Sequence, residues 1–419
     1  MATDKVTEVD AVVIGAGVAG LAATVGARAR GLEVTLLEAR ERIGGRAYTD
    51  TASLGLPFDH GCHWLHAAAR SPLRELADRY GLAYYRGPRR WRLHLGDRWA
   101  TPAEVEALLE EHARVSDALD AIGEAGRDEP VAAHLPADTR FPAAVAHHLT
   151  AVMGAELEQL STRDFHHYED EGGDWPVEGG LGALVARFGR GVQAQLGAPV
   201  TRVDWSGPAV RVHSPRGVLR CRAVIITAPT SVLEAGALRF TPALPPWKQD
   251  AIAGLPMGQT EKIAMRFRRD VFGVPDHTVA LLAAAAPQTP GFEVRPFGRP
   301  LAIAHVAGAL AVELSRAGPL AMLSFARDQL AVMFGGAVRD ALDAHQVTSW
   351  ASDPWSLGAF STALPGRADA RRAYARPIDD RLFFAGDAAS IAAFGSAHGA
   401  YETGVTAAAD LARALARGA

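Results

Sequence analysis

The 419-residue chain has little cysteine, little lysine and no long apolar segment. Its two cysteines, Cys62 and Cys221, are too few for a disulfide framework or a cysteine-rich zinc site. The first ten residues are polar and charged, which is not the pattern of a signal peptide. Apolar runs such as Leu301–Leu314 fall short of a membrane span. These absences predict a protein of a reducing compartment, the cytoplasm, without a membrane partner.

An excess of positive charge is also absent, because the chain has 43 basic and 47 acidic side chains and a formal charge of −4. That balance does not produce the positive electrostatic potential that a nucleic-acid-binding protein needs. The segment Arg86–Arg92 interleaves arginine with tryptophan, but we interpret it as a solvated hairpin or the rim of an insertion. The paired histidines His147–His148 and His166–His167 are adjacent in sequence, which is not the helical spacing of a zinc site. We predict no metal.

The chain opens with the pattern of a βαβ unit. A short apolar run is broken by glycines, a segment of helical composition follows, and a second strand comes after Gly31. The predicted elements are a strand at Asp10–Ile14, a turn at Gly15–Gly20, a helix at Leu21–Arg30 and a strand at Glu33–Glu38.

The turn carries the glycine pattern of dinucleotide-binding proteins. Gly15, Gly17 and Gly20 fit G-x-G-x-x-G between strand and helix, where small residues permit a tight turn and close approach of a pyrophosphate. Unpaired N–H groups at the helix start favour that anion. Glu38, at the end of the next strand, is placed to accept hydrogen bonds from ribose hydroxyls. The acid argues against NADP and leaves NAD and FAD open.

Two further segments favour FAD over NAD. Arg42–Arg46 places a paired-glycine turn and an arginine directly after the acidic strand end. Leu382–Asp387, near the other end of the chain, is a strand that runs into a glycine turn with a carboxylate. An elongated cofactor that both ends of the chain contact is more like FAD than NAD.

Five motifs together resemble those of the flavin-containing amine oxidases, with the closest likeness to the polyamine-oxidase branch and its bacterial relatives. They are E-A-R-x-R-x-G-G-R at 38–46, D-H-G-C-H-W-L-H at 59–66, the lysine segment at 258–267, W-x4-W-S-L-G-A-F-S at 350–361, and the segment at 382–401 that contains L-F-F-A-G-D and H-G-A-Y. The motifs span nearly the whole chain except the divergent helical part.

The resemblance implies an α/β fold with a Rossmann-type FAD-binding domain and an interleaved α+β substrate domain. The FAD-binding domain is expected at 1–71, 180–258 and 346–419, and the substrate-binding domain with its helical insertion at 72–179 and 259–345. The implied contacts to noncovalent FAD are Gly15, Gly17, Ala19, Gly20, Glu38, Ala39, Arg40, Gly44, Gly45, Arg46, Gly61, Cys62, His63, Trp64, Val200, Trp350, Trp355, Gly386, Asp387 and Ala397.

One lysine is predicted to take part in the chemistry. Only Lys5, Lys248 and Lys262 occur in the chain, and Lys262 matches the family's lysine that contacts flavin N5 through a water. Burial would lower its pKa and let it assist proton movement during flavin reoxidation.

The positions of the family's aromatic cage differ here. Relatives that prefer monoamines place two tyrosines beside the flavin, where this chain has Phe360 and Ala400. Ala359 stands where some relatives bond flavin through cysteine, and Cys62 is interpreted as a small packed side chain. We therefore expect noncovalent FAD and room for a long or bulky amine.

Three polar residues are candidates for contact with the substrate. His63 and His66 flank Trp64, and a histidine there could take up the amine proton, although a structural role is an equal alternative. Glu169, in the acidic segment 168–174, is a candidate for holding a distal ammonium, although such acidic runs are usually solvated loops.

The sequence thus predicts an FAD-dependent amine oxidase that transfers hydride from an amine to flavin and electrons to O2, with Lys262, His63 and Phe360 at the reaction centre. An L-amino-acid oxidase, an NAD-dependent dehydrogenase and a non-catalytic flavoprotein remain alternatives. A homodimer is left open.

Overall fold

The computed structural model describes residues 7–169, 172–283 and 289–417. Two β-sheets with helices packed around them form its framework, which is the α/β architecture that the sequence predicts. Within the described ranges, no helix has the length and hydropathy that crossing a membrane requires.

The first sheet joins the N-terminal, middle and C-terminal parts of the chain. Thr7–Ile14 pairs in parallel with Val34–Leu37 on one side and with Gly217–Ile226 on the other. Its eight strands are Thr7–Ile14, Val34–Leu37, Ala194–Gln195, Arg202–Asp204, Val210–Ser214, Gly217–Ile226, Arg239–Thr241 and Leu382–Phe384.

The predicted βαβ unit is confirmed within a few residues at each boundary. The helix begins at Val18, earlier than predicted, and ends at Arg28. It packs on the C-terminal helix Ala397–Arg417, where a Cβ on Gly404 would lie 2.2 Å from the carbonyl oxygen of Ala19. This close approach brings both ends of the chain to the glycine turn.

The second sheet is built from the middle of the chain. Its six strands, in spatial order, are Leu342–Val347, Thr260–Phe267, Leu301–Ala307, Gly291–Val294, Thr278–Leu282 and Arg90–His94. The last of these includes part of Arg86–Arg92, the segment interpreted as a solvated hairpin or insertion rim. Arg86, Arg89 and Arg90 are exposed, and Arg90–His94 is an edge strand parallel to Thr278–Leu282. Its pairing partner lies far away in sequence, so local pattern could not show it.

Within the ranges that the structure describes, three two-stranded pairs and thirteen α-helices complete the fold. The pairs are Thr49–Asp50 with Phe58–Asp59, Trp64–Leu65 with Trp175–Pro176, and Met257–Gly258 with Phe360–Ser361. Among described residues, the helices are Val18–Arg28, Pro72–Tyr80, Pro102–Glu124, Pro142–Met153, Thr162–His167, Leu181–Gly189, Thr230–Glu234, Pro246–Ala253, Gly308–Ala317, Pro319–Phe334, Ala337–Ala341, Ala370–Ala375 and Ala397–Arg417.

The strands of each sheet fall largely within the predicted domain ranges, which remain predictions in their exact bounds. The helix Pro72–Tyr80 was expected in the substrate-binding domain, but its residues Leu73, Leu76 and Ala77 pack in the core beneath the first sheet. The insertion predicted from residue 72 is mainly helical, with Pro102–Glu124 as its longest element.

One face of the second sheet forms a wall of a large cavity. Lys262, His305 and Gly291 are direct neighbours across three adjacent strands. Glu293 lies two residues after Gly291 and therefore on the same face. Strand alternation thus directs one lysine, one histidine and one glutamate from an otherwise apolar sheet toward a single cavity.

Candidate active site

A cavity of about 810 Å³ is lined by residues of both sheets, both chain ends and the helical insertion. That volume lies in the upper range for small-molecule sites. Of the site residues predicted from the sequence, only Gly20 and Glu169 are not on its wall.

The glycine turn has the geometry of a pyrophosphate site. Gly15 has a φ of +98°, and a Cβ on Gly20 would lie 1.8 Å from the carbonyl oxygen of Gly15. Gly20 therefore serves close packing of the helix rather than cavity lining. A Cβ on Gly17 would meet nothing nearer than 4.0 Å, so the approach to the helix that starts at Val18 is open. The first N–H groups of that helix favour an anion there.

The Glu38 carboxylate is fixed at the end of its strand. Its Oε2 accepts a hydrogen bond from the N–H of Ala16 at 2.6 Å, and its Oε1 accepts from the N–H of Arg40 at 2.8 Å. Carboxylate oxygens can accept further bonds, and Glu38 lines the cavity. The pair of turn and acid fits the phosphate and ribose of an adenine dinucleotide.

An ion pair joins the two ends of the chain at the cavity. Arg46 Nη2 lies 2.7 Å from Asp387 Oδ1, and Arg46 Nη1 donates to the carbonyl of Ala359 at 2.7 Å. Asp387 Oδ2 accepts from the N–H of Ser361. Burial alone would raise the pKa of Asp387, but Arg46 and this hydrogen bond hold it below its usual value.

The other predicted cofactor residues are also brought to the cavity. Burial raises the pKa of the Cys62 thiol. Trp350 Nε1 donates to the carbonyl of His60 at 2.9 Å, which fixes the indole. These cavity residues are Ala19, Ala39, Arg40, Gly44, Gly45, Gly61, Cys62, His63, Trp64, Val200, Trp350, Trp355, Gly386 and Ala397.

Lys262 is buried in the wall formed by the second sheet. Its Nζ donates to the carbonyls of Asp59 at 3.0 Å and Gly61 at 2.7 Å. An ammonium has three N–H donors, so one remains for a group in the cavity. Burial lowers the pKa of Lys262, and the Asp59 carboxylate opposes that shift.

His63 lies between two buried carboxylates. Its Nδ1 is 3.2 Å from Asp59 Oδ2, and its Nε2 is 3.0 Å from Glu293 Oε2. Burial disfavours the charged ring, but Glu293 and Asp59 outweigh it and raise the pKa of His63. Burial would raise the pKa of Glu293, whereas His63 brings it down to about 2.

His305 completes this wall between Lys262 and Trp64. Its ring centroid is 5.3 Å from that of Trp64, and its Nε2 has no hydrogen-bond partner in the described part of the chain. Burial, followed by the charge of Lys262, holds the pKa of His305 well below its usual value. A neutral imidazole therefore sits beside the lysine.

Phe360 and Ala400 give the cavity one aromatic and one small wall position. Glycines at 154 and 395 make room for the Phe360 ring, since a Cβ on either would approach it to about 3 Å (2.9 and 3.1 Å). The cavity is therefore wider at Ala400 than an aromatic residue there would permit.

Carboxylates surround the outer part of the cavity. Asp117 and Asp120 lie three residues apart on helix Pro102–Glu124. Asp174 contacts both His66, with Nδ1 to Oδ1 at 2.6 Å, and Arg89, with Nη2 to Oδ2 at 2.6 Å. The predicted substrate residue His66 is thus at the cavity through a hydrogen bond to an acid.

Glu169 is placed differently from the prediction. Its side chain is 54% exposed and pairs with Arg70 at 2.8 Å, and it is not on the cavity wall. Its role with substrate stays a prediction. Asp174 is the residue of the same acidic segment that the fold directs to the cavity.

Three histidines pack beside the outer cavity. His112 stacks on His148 with centroids 4.5 Å apart, and His147 and His148 line the cavity. Burial, followed by the charge of His112, brings the pKa of His147 to about 4 and that of His148 to about 3. Across residues 7–169, 172–283 and 289–417, no group of three or more His, Cys, Asp or Glu side chains could hold a metal ion.

Four functional candidates were missed by sequence reasoning. Glu293 and His305 each interrupt an otherwise apolar strand, and that interruption was the available signal. Asp59 and Asp174 stood within segments already singled out, yet only the fold shows that Asp59 is buried beside His63 and that Asp174 reaches the cavity.

The family model described as flavin containing amine oxidoreductase matches residues 18–412. Polyamine oxidase 4 of Oryza sativa subsp. japonica is 30% identical over 430 residues, which cover 95% of this chain and 87% of that protein. Lysine-specific histone demethylase 2 of Homo sapiens is 25% identical over 434 residues, 94% of this chain and 52% of that protein. Both relatives are eukaryotic, so the likeness to bacterial members stays a prediction.

A solved structure of a putrescine oxidase double mutant matches with a TM-score of 0.80. The match covers 97% of this chain and 99% of that chain at 19% identity, and it confirms the predicted fold class. The family match assigns a flavin adenine dinucleotide and excludes the alternative of NAD, and the dinucleotide geometry at Gly15 and Glu38 fits that cofactor. The chain belongs to the flavin-containing amine oxidoreductases, and it is an FAD-dependent enzyme that oxidises amines.

Proposed function

We propose that the protein is an oxidase of di- and polyamines or similarly long amines, with O2 as electron acceptor. The observation that carries this proposal is the charge of the substrate half of the cavity. Asp117 and Asp120 of helix Pro102–Glu124 line it outside the dinucleotide region, and two further acids, Asp174 and Glu293, line it while paired with Arg89 and His63. Amines of this class carry several ammonium groups, and an acid-lined cleft raises their local concentration.

The arginines of the cavity argue against an amino-acid substrate. An amino-acid oxidase needs a cation for the substrate carboxylate. In the described part of the chain the cavity has three arginines, and each is paired with an aspartate at 2.6–2.7 Å: Arg40 with Asp353, Arg46 with Asp387, and Arg89 with Asp174. A substrate carboxylate would have to displace one of these acids.

Bound FAD supplies the two-electron acceptor for the carbon next to the amine nitrogen and passes the electrons to O2 to give H2O2. The protein orients the amine with the rings of Phe360 and Trp64 and keeps the reacting end away from bulk water. Lys262 holds a proton at Nζ beside the cavity. The imine product then hydrolyses to a carbonyl compound and an amine or ammonia.

The FAD is proposed to be noncovalent. Ala359 offers no nucleophile at the position where some relatives have cysteine, and its carbonyl is engaged by Arg46. Burial raises the pKa of Cys62, which disfavours the reactive thiolate.

The test is an anaerobic titration of the purified flavoprotein. Polyamines, acetylated polyamines, simple monoamines and L-amino acids are added separately while the oxidised flavin absorbance is recorded. Bleaching by polyamines and not by L-amino acids is the expected result. Bleaching by L-amino acids alone, or by no amine at all, would refute the proposed substrate class. Asp117→Asn should weaken polyamine binding and leave a monoamine nearly unaffected.

A further inference from the structure

The imidazole of His63 is held from both sides by acids of different elements. Asp59 ends the short strand Phe58–Asp59, and Glu293 lies in the second sheet. The exposed fractions of Asp59, His63 and Glu293 are 2%, 8% and 6%. Asp59 is itself fixed, because it accepts from the N–H groups of Leu181 and Gly182 at the start of a helix.

Hydrogen-bond stoichiometry favours a doubly protonated ring. A neutral imidazole has a single N–H and could satisfy only one carboxylate, whereas the imidazolium donates from both nitrogens. Glu293 Oε2 has no aligned hydrogen-bond donor in the described part of the chain, although His63 Nε2 is at ion-pair distance. A buried carboxylate without a nearby cation is strongly unfavourable.

We propose that Glu293 is a positioning residue of the reaction centre, which acts with Asp59 to hold His63 as an imidazolium in one orientation at the cavity wall. In that state His63 packs edge-on against Trp64, with ring centroids 4.8 Å apart. It presents a fixed positive charge and does not accept the proton of the substrate ammonium. The inference rests on the proposed function for its catalytic consequence only.

The charged and titratable surroundings of His63 support this assignment. Two acids favour the imidazolium, while one lysine and two histidines on neighbouring elements oppose it. The raised pKa of His63 shows that the acids prevail. These groups are Asp59, Glu293, Lys262, His305 and His277.

The decisive variant is Glu293→Gln, which removes the charge and keeps the shape. The His63 ring is titrated by ¹H–¹⁵N NMR in the FAD-loaded protein without any amine. Loss of one adjacent opposite charge should lower the pKa of His63 by about one to three pH units. With substrate, the ratio of kcat/KM in the variant to that in the native protein should fall about tenfold from pH 6 to pH 8.

Three further variants distinguish this role from a non-specific loss of folding or activity. Glu293→Asp should restore most of the His63 titration, and Asp174→Asn, which removes a cavity carboxylate elsewhere, should leave it unchanged. In a His63→Gln background, Glu293→Gln should add no pH dependence to kcat/KM. Melting temperatures of all variants identify any that fail to fold.

Two results would overturn the proposal. One is a His63 ring that is already neutral at pH 7 in the native protein, and the other is a His63 pKa that Glu293→Gln leaves unchanged. The NMR measurement needs no turnover. An amine that fails to bleach the flavin would therefore refute the proposed function without touching the assignment of Glu293.

Discussion

The two buried lysines Lys262 and Lys248 have different surroundings. Lys262 is 5% exposed and places its ammonium between the carbonyls of Asp59 and Gly61 at the cavity. Lys248 is fully buried and donates to three carbonyls at the end of helix Ala370–Ala375. A cation there satisfies carbonyls that a helix C-terminus leaves unpaired. The same side chain thus lines a cavity in one place, where we propose that it moves a proton, and terminates a helix in the other.

Lys262→Met should slow reoxidation of the reduced flavin by O2 about 100-fold, which is typical for loss of a proton-transfer group. The thioether keeps much of the packing and removes the donor. Rapid-mixing spectroscopy of the pre-reduced protein with O2 measures this rate, and absorbance of the purified protein checks that FAD stays bound.

Lys248→Met is the matched control for that experiment. It should reduce the free energy of unfolding by about 2 kcal/mol, because three buried carbonyls lose a charged donor. Its reoxidation rate should equal that of the native protein. An equal loss of rate in both variants would mean that Lys262 acts only through stability.

Ala400→Tyr should narrow the substrate side of the cavity. Ala400 and Phe360 both line that side, and a phenol at 400 would occupy space now open to a long or bulky amine. The kcat/KM for such amines should fall at least tenfold relative to that for a small monoamine, a ratio that steady-state peroxide assays give directly. Ala400→Ser, which adds one atom, is the control. An unchanged ratio would show that this wall does not select the substrate.

At the scale of elements, a buried ion pair joins two helices behind the cavity. Arg371 of helix Ala370–Ala375 makes a two-pronged contact with Asp164 of helix Thr162–His167, at 2.6 and 2.8 Å, and neither side chain is exposed. The guanidinium also lies 3.8 Å from the ring centroid of Phe394, a cavity residue. The pair therefore connects the helical insertion to the wall of the active site.

Asp164→Asn should reduce the free energy of unfolding by about 3–5 kcal/mol, since it leaves a buried guanidinium without its counter-ion. Arg163→Met, at the neighbouring residue, is the control. It breaks the exposed pair of Arg163 with Asp369 and should cost at most about 1 kcal/mol. Urea unfolding curves compare the two, and equal losses would contradict the distinction between buried and exposed pairs.

The elements differ in how far the sequence predicted them. The βαβ unit was predictable because an apolar run, three glycines and a helical segment are adjacent in the chain. The edge strand Arg90–His94 was not, because its partner Thr278–Leu282 is distant in sequence.

The same distinction holds in the site. Lys262 was recognisable from its motif and from the scarcity of lysine in the chain. Glu293 was not, because its role depends on a contact with His63, which lies 230 positions earlier in the sequence. Cofactor residues cluster in motifs because a shared ligand requires local backbone geometry. Substrate residues come singly from separate elements, and their convergence depends on tertiary packing.

At the scale of the whole molecule, the chain passes from the first sheet to the second and back, and both sheets contribute residues to the cavity wall. The chain ends and the first sheet supply the part of the wall with the glycine turn and Glu38, and the second sheet and the helical insertion supply the part with Lys262 and Asp117. Helix Pro102–Glu124 contributes acids, and helix Pro142–Met153 contributes His147 and His148. Variation of the insertion can thus alter the substrate while the cofactor site is kept.

The two insertion histidines make the stability of the molecule sensitive to acid. The pKa values of about 4 for His147 and about 3 for His148 lie below the ordinary value of 6.5 because of burial and the neighbouring His112. Between pH 6.5 and about 4, the unfolded chain binds protons at these rings and the folded protein does not. Stability therefore falls as the pH falls through this window, by at most about 1.4 kcal/mol per pH unit for each ring.

Replacement of both histidines by glutamine should flatten that pH dependence. Melting temperatures of the FAD-loaded protein, measured by calorimetry from pH 7.5 to 4.5, should decline less steeply in the His147→Gln/His148→Gln variant than in the native protein. His345→Gln, at an exposed position of the second sheet, should leave the native slope in place. Equal slopes in all three proteins would show that the folded state protonates these rings freely, and the outer cavity would then be open to water rather than sealed by the insertion.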